Sequence, residues 1–501
     1  MSVAATVEKP EVRSSLLTAL VRIVALTALF SASAVYESAH VTAVSSGDVW
    51  WHLRTGMWIL QNHSVPRSGL FSQYPSLPWM ASSWGFDVLL AAAYRLLGLR
   101  AIPFTLMAMK VALAVLTFLL ARAGRISFWN SVLLSAVAQS VIVNLQPLPS
   151  VISIAFLAAE LWLLVRSRRR TGSLRELYWL PFLFAAWANL DLQFVAGLVL
   201  LGVFVAAVVV EGALRSAGVG WLDQSIVQPP IRPLAIVAGC SLLATLANPY
   251  TFHLLPNFFK ALYSDALFQH SPEMKSMSFR RPQEYLLMLV VMAAFLAMGR
   301  RRSLRVFELA ALVAGTAIAF RLQRDAWMCV LPAVAVLADG FGSGANAGEN
   351  KSPDWSWKAV AACVAVVFVV IALRLPSQAL MISRVSEKFP VKACDFIRAN
   401  HLPAPLFNAY SWGGFLTWYL PDYPVAIDTR VDLYGHEIVA RYFSVTDGKE
   451  RLEADTAVSR AQTLLVERQS GMTKALMTLP ALSAQYRLVY SDELAAVFAR
   501  R

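Results

Sequence analysis

Residues 84–99 read WGFDVLLAAAYRLLGL. The run is apolar enough to enter a membrane yet carries Asp87 and Arg95, so it is either a short span or a helix lying in the interface. Parity discriminates between the two. If the run crosses, Arg122 and Arg125, the cluster Arg166, Arg168, Arg169 and Arg170, and the run Arg300, Arg301 and Arg302 all face outward. If it lies flat, they all face inward, where Lys and Arg beside span ends are retained. The stretch is therefore expected to be an interfacial helix.

Working outward, the first apolar run, 15–36, is too long for a signal-peptide core, and its end SASAVYESAH is a poor cleavage site. It reads as a retained first span. Further apolar runs lie at 101–121, 131–146, 149–165, 177–190, 194–210, 234–247, 285–298, 306–320, 326–338 and 359–373, about 11 spans with the first. Several are shorter than the roughly 20 residues a perpendicular helix needs. Asn189, Asp191 and Gln193 interrupt one long apolar block and read as an outward hairpin tip. An odd number of spans puts the N-terminus in the cytoplasm and residues 376–501 outside. GFGSGANAGENKSPDWS, 340–356, reads as a flexible cytoplasmic loop.

Composition agrees. Of 501 residues, 57% are hydrophobic and 15% charged, and the mean hydropathy is +0.55, which excludes a disordered chain and a purely soluble enzyme. The formal charge of +13 invites a nucleic-acid reading. Its location argues otherwise: residues 376–501 hold 14 basic and 13 acidic side chains, so +12 belongs to the membrane part. The charge is topological, and no nucleic-acid partner is expected. Cys240, Cys329 and Cys363 fall in apolar runs and Cys394 stands alone, which gives neither a disulfide framework nor a metal pattern. Beyond residue 375 the pattern changes to a helix at 391–400 and short strands at 405–408, 425–428, 462–467 and 487–490. The expected architecture is an α-helical polytopic membrane protein, with 1–375 as the membrane part. Within it, 37–100 forms the first external loop with its interfacial helix, and 376–501 follows as a C-terminal extracytoplasmic α/β domain.

On this topology the unusual polar groups gather at the outer face. Nucleotide-sugars and ATP are absent there, so an enzyme would need a lipid-borne activated donor. Asp48, in GDVWWHLRTG, follows the first span beside two tryptophans, where a raised pKa would suit a general base; the bland alternative is an aromatic belt with a solvated acid. His52 shares a helical face with it, as hydrogen-bonded partner or as a group that shapes the base; one His and one Asp make a poor metal signal. Arg321 and Arg324, three apart, could clamp a phosphate or merely anchor a helix end, and Arg280 with Arg281 are similar. Lys110 falls midway along its span and invites pairing with Glu160 or Glu308.

DVWWHLRTGMWILQNHSVPRSGLFS (48–72) with PWMASSW (78–84) resembles the first external loop of a bacterial group of GT-C-type membrane glycosyltransferase-like proteins. These are akin to protein O-mannosyltransferases and lipid A aminoarabinose transferases. WANLDLQF (187–194), LANPYTFHLL (246–255), QRDAW (323–327), FNAYSWGGFLTWYL (407–420), AIDTRVDLYG (426–435) and YRLVYSDELAAVF (486–498) extend the resemblance along nearly the whole chain. It implies a GT-C-like fold in which an acid of the first external loop, here Asp48, is the catalytic base. The donor would be a polyprenyl-phosphate-linked sugar held by basic side chains near the outer face. The acceptor could be a glycan, a lipid or a protein. Trp51, Arg54, Trp84, Asn189 and Asp191 fall in the matching pieces as candidate acceptor-side or supporting residues. The chain departs from the group at Ser83, where an acid usually precedes the tryptophan. It departs again at Asp191 and Leu192 in place of a His-Gly pair, and at Gln146 and Pro147 in place of Arg-Pro. No cofactor follows, and the changed positions leave a divalent metal possible.

Asp428, Arg430 and Asp432 follow an expected strand, where α/β domains place ligands. They are either a salt-bridged turn capping the domain or part of an acceptor-positioning lid. The expectation is an inner-membrane glycosyltransferase, cell-envelope in role, acting at the outer face with inversion. Its rivals are a lipid-linked saccharide transporter or flippase, weakened by the lack of an internal repeat, and a non-catalytic assembly subunit of envelope polysaccharide synthesis. An outward cavity lined by Asp48 and the arginines separates the enzyme from a scaffold, whose corresponding space is filled.

Overall fold

The structure is a computed structural model describing residues 10–124, 126–143, 145–169, 174–262, 274–301, 303–342, 357–447, 452 and 455–501. Helix α1 (Pro10–His40) is followed by α2 (Asp48–Asn62) and α3 (Trp84–Leu97) in the first long connection. Then come α4 (Ala101–Ala123), α5 (Phe128–Val141), α6 (Pro149–Arg169), α7 (Leu180–Leu190), α8 (Phe194–Ser216), α9 (Ile231–Ala244) and α10 (Leu254–Leu262). After them lie α11 (Pro282–Arg300), α12 (Val306–Arg321), α13 (Trp327–Gly342) and α14 (Trp357–Leu373). A helix thus occupies each expected apolar run. Differences are local: α5 stops at Val141 rather than continuing to 146, and the block before Leu180 winds as a 3-10 turn, Leu174–Trp179. The break between α7 and α8 falls on Asp191–Gln193, the expected tip. Arg125, Arg170, Arg302 and the Gly/Ser-rich run past Gly342 lie outside the described residues.

Among the described residues, 5 helical stretches are by length and composition able to cross a membrane: Leu17–His40, Trp84–Ala123, Pro149–Arg168, Phe194–Ser216 and Pro282–Arg300; Lys358–Leu373 and Gln378–Ser386, bent by 75°, make up to 6 if taken as one span. Trp84–Ala123 is a single run of 40 residues in which α3 passes into α4 through one turn of 3-10 helix. At 1.5 Å per residue it measures about 60 Å, about twice a hydrocarbon core. Its first part instead packs along α2. The crossing is tight because Gly56 has no Cβ: one built there would sit inside van der Waals contact of the Asp87 carbonyl. Lys110 on α4 pairs with neither Glu160 nor Glu308 but with Glu37 at the end of α1, at 3.3 Å. Glu37 also accepts from the Thr42 hydroxyl and the Ala43 N–H, so its charge is fully committed.

The C-terminal part contains α15 (Gln378–Ser386), α16 (Val391–Ala399), α17 (Gly413–Tyr419), α18 (Val431–Thr446) and three short helices around a four-stranded sheet. The strands β1 (Leu406–Asn408), β2 (Thr463–Glu467), β3 (Tyr486–Ser491) and β4 (Ala495–Arg500) are ordered β1-β2-β4-β3; only the β1–β2 pair is parallel. The expected strand at 425–428 is not one. Val425 instead bridges Ser72 of the first external loop, while the Asn408 side chain accepts from the Ala426 N–H and donates to the Ile427 carbonyl. With its backbone so occupied, the segment has no ladder to join.

The same loop and the C-terminal part share one apolar cluster. Trp50 of α2, fully buried, lies 5.3 Å from the Phe415 ring and 4.7 Å from Trp418. The glycine pair of the tail motif permits this docking, because a Cβ on Gly414 would collide with the Gly47 carbonyl just before α2. The C-terminal part is thereby seated over the N-terminus of α2, where Asp48 stands.

Candidate active site

Asp48 is the first residue of α2, a position where the unpaired N–H groups of a helix start favour a carboxylate. Its Oδ1 accepts a hydrogen bond from the Thr429 hydroxyl, 381 positions along the chain. Removal from water pushes the Asp48 carboxyl above its ordinary range; the Thr429 hydroxyl and the nearby His52 draw it only partly back. His52 gives its Nδ1 to Asp87 Oδ1 of α3 at 2.6 Å and stacks on Trp51 at 3.6 Å. Both members of that pair are buried. His52 therefore acts on Asp48 through space and on Trp51 through packing.

Thr429 is held in turn by its neighbours. Arg430 donates from Nε to Asp428 Oδ1 at 2.9 Å and from Nη2 to Oδ2 at 2.6 Å, and the Tyr434 hydroxyl donates to Oδ2 at 3.0 Å. Asp428 and Arg430 are essentially without solvent contact. The Asp428 carboxylate keeps the guanidinium firmly protonated against its desolvation. The guanidinium also lies over Trp79 at 4.7 Å, and Trp79 Nε1 donates to Asp432 at 3.0 Å. The salt-bridged turn thus presents its middle residue to Asp48. Arg54 sits over Phe71 at 5.1 Å on the same face of the loop, not at the carboxylate.

Asp48 opens onto a cavity of about 270 Å³ whose walls include Val141, Ile154, Leu287 and Trp327 and whose polar groups include Gln146, Arg281, Gln283, Gln323 and Arg324. Of the four expected phosphate-binding arginines, Arg281 and Arg324 line it; Arg280 and Arg321 do not. Arg281 caps α11, and Glu284 one turn on accepts from the backbone N–H groups of Arg280 and Arg281. Arg324 lies 3.4 Å from Asp325, to which Gln193 also donates. Gln146, which replaces a usual arginine of the resembling group, faces this same space.

The remaining expected residues form a neighbouring frame. Trp84 Nε1 donates to Asn189 Oδ1 at 3.0 Å, and Asn189 donates on to the Ala185 and Ala247 carbonyls. Asp191 accepts from Ser153 at 2.5 Å, which itself accepts from Trp187 Nε1 at 2.6 Å. Burial raises the Asp191 carboxyl. The LANPY motif clamps the loop: the Tyr250 hydroxyl donates to the Pro66 carbonyl and accepts from the Ala81 N–H. These contacts tie Trp84, Asn189 and Asp191 into hydrogen bonds with their neighbours. Among the described residues, no group of three or more His, Cys, Asp or Glu side chains is disposed to hold a metal ion. Thr429 is the neighbour of Asp48 that sequence reasoning did not single out, although it lay inside a quoted motif between two residues that were; Asp87 entered that reasoning only as a charge in an apolar run.

Thr429→Val keeps the shape but removes the donor to the Asp48 carboxylate, which destabilises the charged form. The carboxyl, already raised, moves higher still, so it takes up its proton at higher pH. Infrared titration of the carboxyl checks this; an unmoved titration separates Thr429 from Asp48.

No protein-family model matches the chain. No curated protein matches it either. Among solved structures it resembles the archaeal oligosaccharyltransferase AglB from Archaeoglobus fulgidus in complex with an inhibitory peptide and a dolichol-phosphate. That match has a TM-score of 0.55 at 11% identity and covers 97% of this chain and 74% of the other. The apo form of the Archaeoglobus enzyme gives 0.52 at 11% identity with the same coverage. A form tethered to an acceptor peptide gives 0.50 at 10% identity, covering 94% and 74%. The fold is GT-C-like, that of a multi-pass membrane protein.

Proposed function

We propose that this chain is an inner-membrane glycosyltransferase that moves a sugar from a polyprenyl-phosphate donor to an acceptor hydroxyl at the outer face. The observation that carries the reading is the cavity joining the Asp48 carboxylate, the Arg281 and Arg324 guanidinium groups and a wall of bundle side chains. A polyprenyl phosphate presents the matching parts: an apolar tail for the wall and a charged phosphate for the arginines. The dolichol-phosphate held by the Archaeoglobus enzyme of similar fold supports the same donor class.

In the proposed reaction the acceptor hydroxyl attacks the anomeric carbon as Asp48 takes its proton. The carbon–oxygen bond to the lipid phosphate breaks on the opposite side, and the phosphate leaves with the electron pair, stabilised by Arg281 and Arg324. A single displacement inverts the anomeric centre. Thr429 and His52 are positioning residues, and the open cavity weighs against a scaffold packed solid at this place. The proposed topology has a cytoplasmic N-terminus and residues 376–501 outside.

The donor site is tested by retention of a labelled polyprenyl phosphate on the purified protein in lipid nanodiscs. Arg281→Ala and Arg324→Ala are each expected to weaken retention by about tenfold or more, since a hydrogen bond to a charged group contributes roughly 1.5–3 kcal/mol. Arg321→Ala, away from the cavity, leaves it unchanged. Equal retention by all three variants defeats the assignment.

A further inference from the structure

Behind the Thr429 to Asp48 hydrogen bond lies a second cavity, of about 180 Å³, walled by Trp51, Trp79, Ser82, Asp87, Asn257 and Asp432. Thr429 lines it as well, while Asp48 lines the donor cavity, so this contact stands between the two spaces. Three features specify its occupant. Asp87 is fully buried, and its Oδ2 has no hydrogen-bond partner, although Oδ1 is held by His52. On a side chain that lines this space, such an unmatched acceptor can take a donor from a ligand. Among the described residues that line the space there is no Lys, Arg or His, and two carboxylates stand there instead, so an anion has nothing to pair with. Finally, Trp51 and Trp79 meet edge to face with centroids 6.1 Å apart and supply apolar surface beside those acceptors.

Oxygen acceptors beside aromatic surface match a ring that carries hydroxyl donors around an apolar face, which is a sugar. The small cavity is continuous in its lining with a larger one of about 850 Å³, through Trp79, Met80, Asn257, Val431 and Asp432. The larger space runs past Tyr250, Tyr434 and His436, the kind of wall that accommodates further rings. We propose that the acceptor is a glycan chain with a neutral terminal sugar. That sugar occupies the small cavity and turns a hydroxyl toward Asp48, and the preceding sugars fill the larger space. The assignment rests on the proposed transferase reading for the role of Asp48 and adds the acceptor class to it.

The test passes the full-length protein in lipid nanodiscs over an array of immobilised neutral, acidic and amino oligosaccharides and peptides, alongside Trp79→Phe and Asn257→Ala. Expected is retention by neutral oligosaccharides, stronger than by the corresponding monosaccharides. Asn257→Ala lowers this retention about tenfold, the loss of one ligand hydrogen bond. Trp79→Phe, which keeps a ring but loses the hydrogen bond to Asp432, lowers it as well. Retention only by acidic glycans, amino glycans or peptides overturns the proposal. So does no glycan retention by the wild type, or retention equal in the wild type and both variants. Labelled polyprenyl phosphate, measured on the same preparations, reads the other cavity. Its failure to bind while neutral glycans are retained strikes at the transferase reading and leaves the glycan site standing.

Discussion

Asp48→Asn is expected to lower kcat/KM for sugar transfer from a polyprenyl-phosphate donor by about 10²–10⁴-fold, the range that a positioned general base contributes. The substitution is nearly isosteric, and its amide oxygen still accepts from the Thr429 hydroxyl, so the docking of the C-terminal part onto α2 survives. What is lost is the ability to take a proton. Burial that raises the Asp48 carboxyl brings its basicity closer to working pH, which makes the loss larger than for a solvated acid. Retention of polyprenyl phosphate is expected to stay at the wild-type level, because Arg281 and Arg324 are untouched. The decisive measurement is single-turnover transfer in nanodiscs; equal rates for Asn and Asp at position 48 remove the residue from the chemistry and revive the scaffold reading.

How much of this was legible in the chain follows from which forces are local. Apolar runs announce helices because burial in lipid requires every backbone group to be satisfied within its own segment, and a helix does occupy each run. Asp48 stood out because an acid beside Trp50 and Trp51 after a span is a local anomaly. Its partner did not, since nothing near position 429 records that the turn will fold back over α2. The same limit misassigned Lys110: its depth in α4 announced a partner, but only the packing of α1 on α4 reveals that Glu37 supplies it. Strand β4 escaped because AAVFAR is buried on both faces and shows no alternation. Residues 425–428 misled in the opposite way, with β-branched residues whose backbone is claimed by Asn408 and the first loop.

Arg281 and Arg280 show where spacing arguments stop. Neighbours in sequence with the same charge, they differ in whether they reach the cavity, and that is set by the way Pro282 starts α11 and Glu284 caps it. Arg321 and Arg324 differ likewise, because the helix ends at Arg321 and the chain turns through Gln323–Asp325 before α13 begins. A spacing of three puts two side chains on one helical face only if the helix continues through both. Arg281 and Arg324 therefore come one from each of two loops. Their grouping around the cavity is a property of the bundle, since neither local sequence encodes it.

The ion pair behind the base should be the least forgiving place in the C-terminal part. Asp428→Ala strands the Arg430 guanidinium, which is nearly inaccessible to solvent and already has an unpartnered Nη1, and is expected to cost about 3–5 kcal/mol in stability. Arg430→Ala strands the carboxylate, opens space under Trp79 and costs a similar amount. Either change also frees Thr429, so transfer falls along with thermal stability, and a single variant cannot separate the two effects. The triple variant Asp428→Leu, Arg430→Met and Tyr434→Phe does so, because apolar side chains of similar volume often replace a buried pair without loss and no tyrosine hydroxyl is left without its acceptor. Its thermal midpoint in detergent is expected to return close to that of the wild type. Transfer is expected to stay low, with the Asp48 carboxyl taking up its proton at higher pH as in Thr429→Val, since the turn no longer fixes the hydroxyl against Asp48. Recovery of full transfer together with stability would mean that the pair only braces the domain. A stable protein with the shifted titration assigns it the aim of the base.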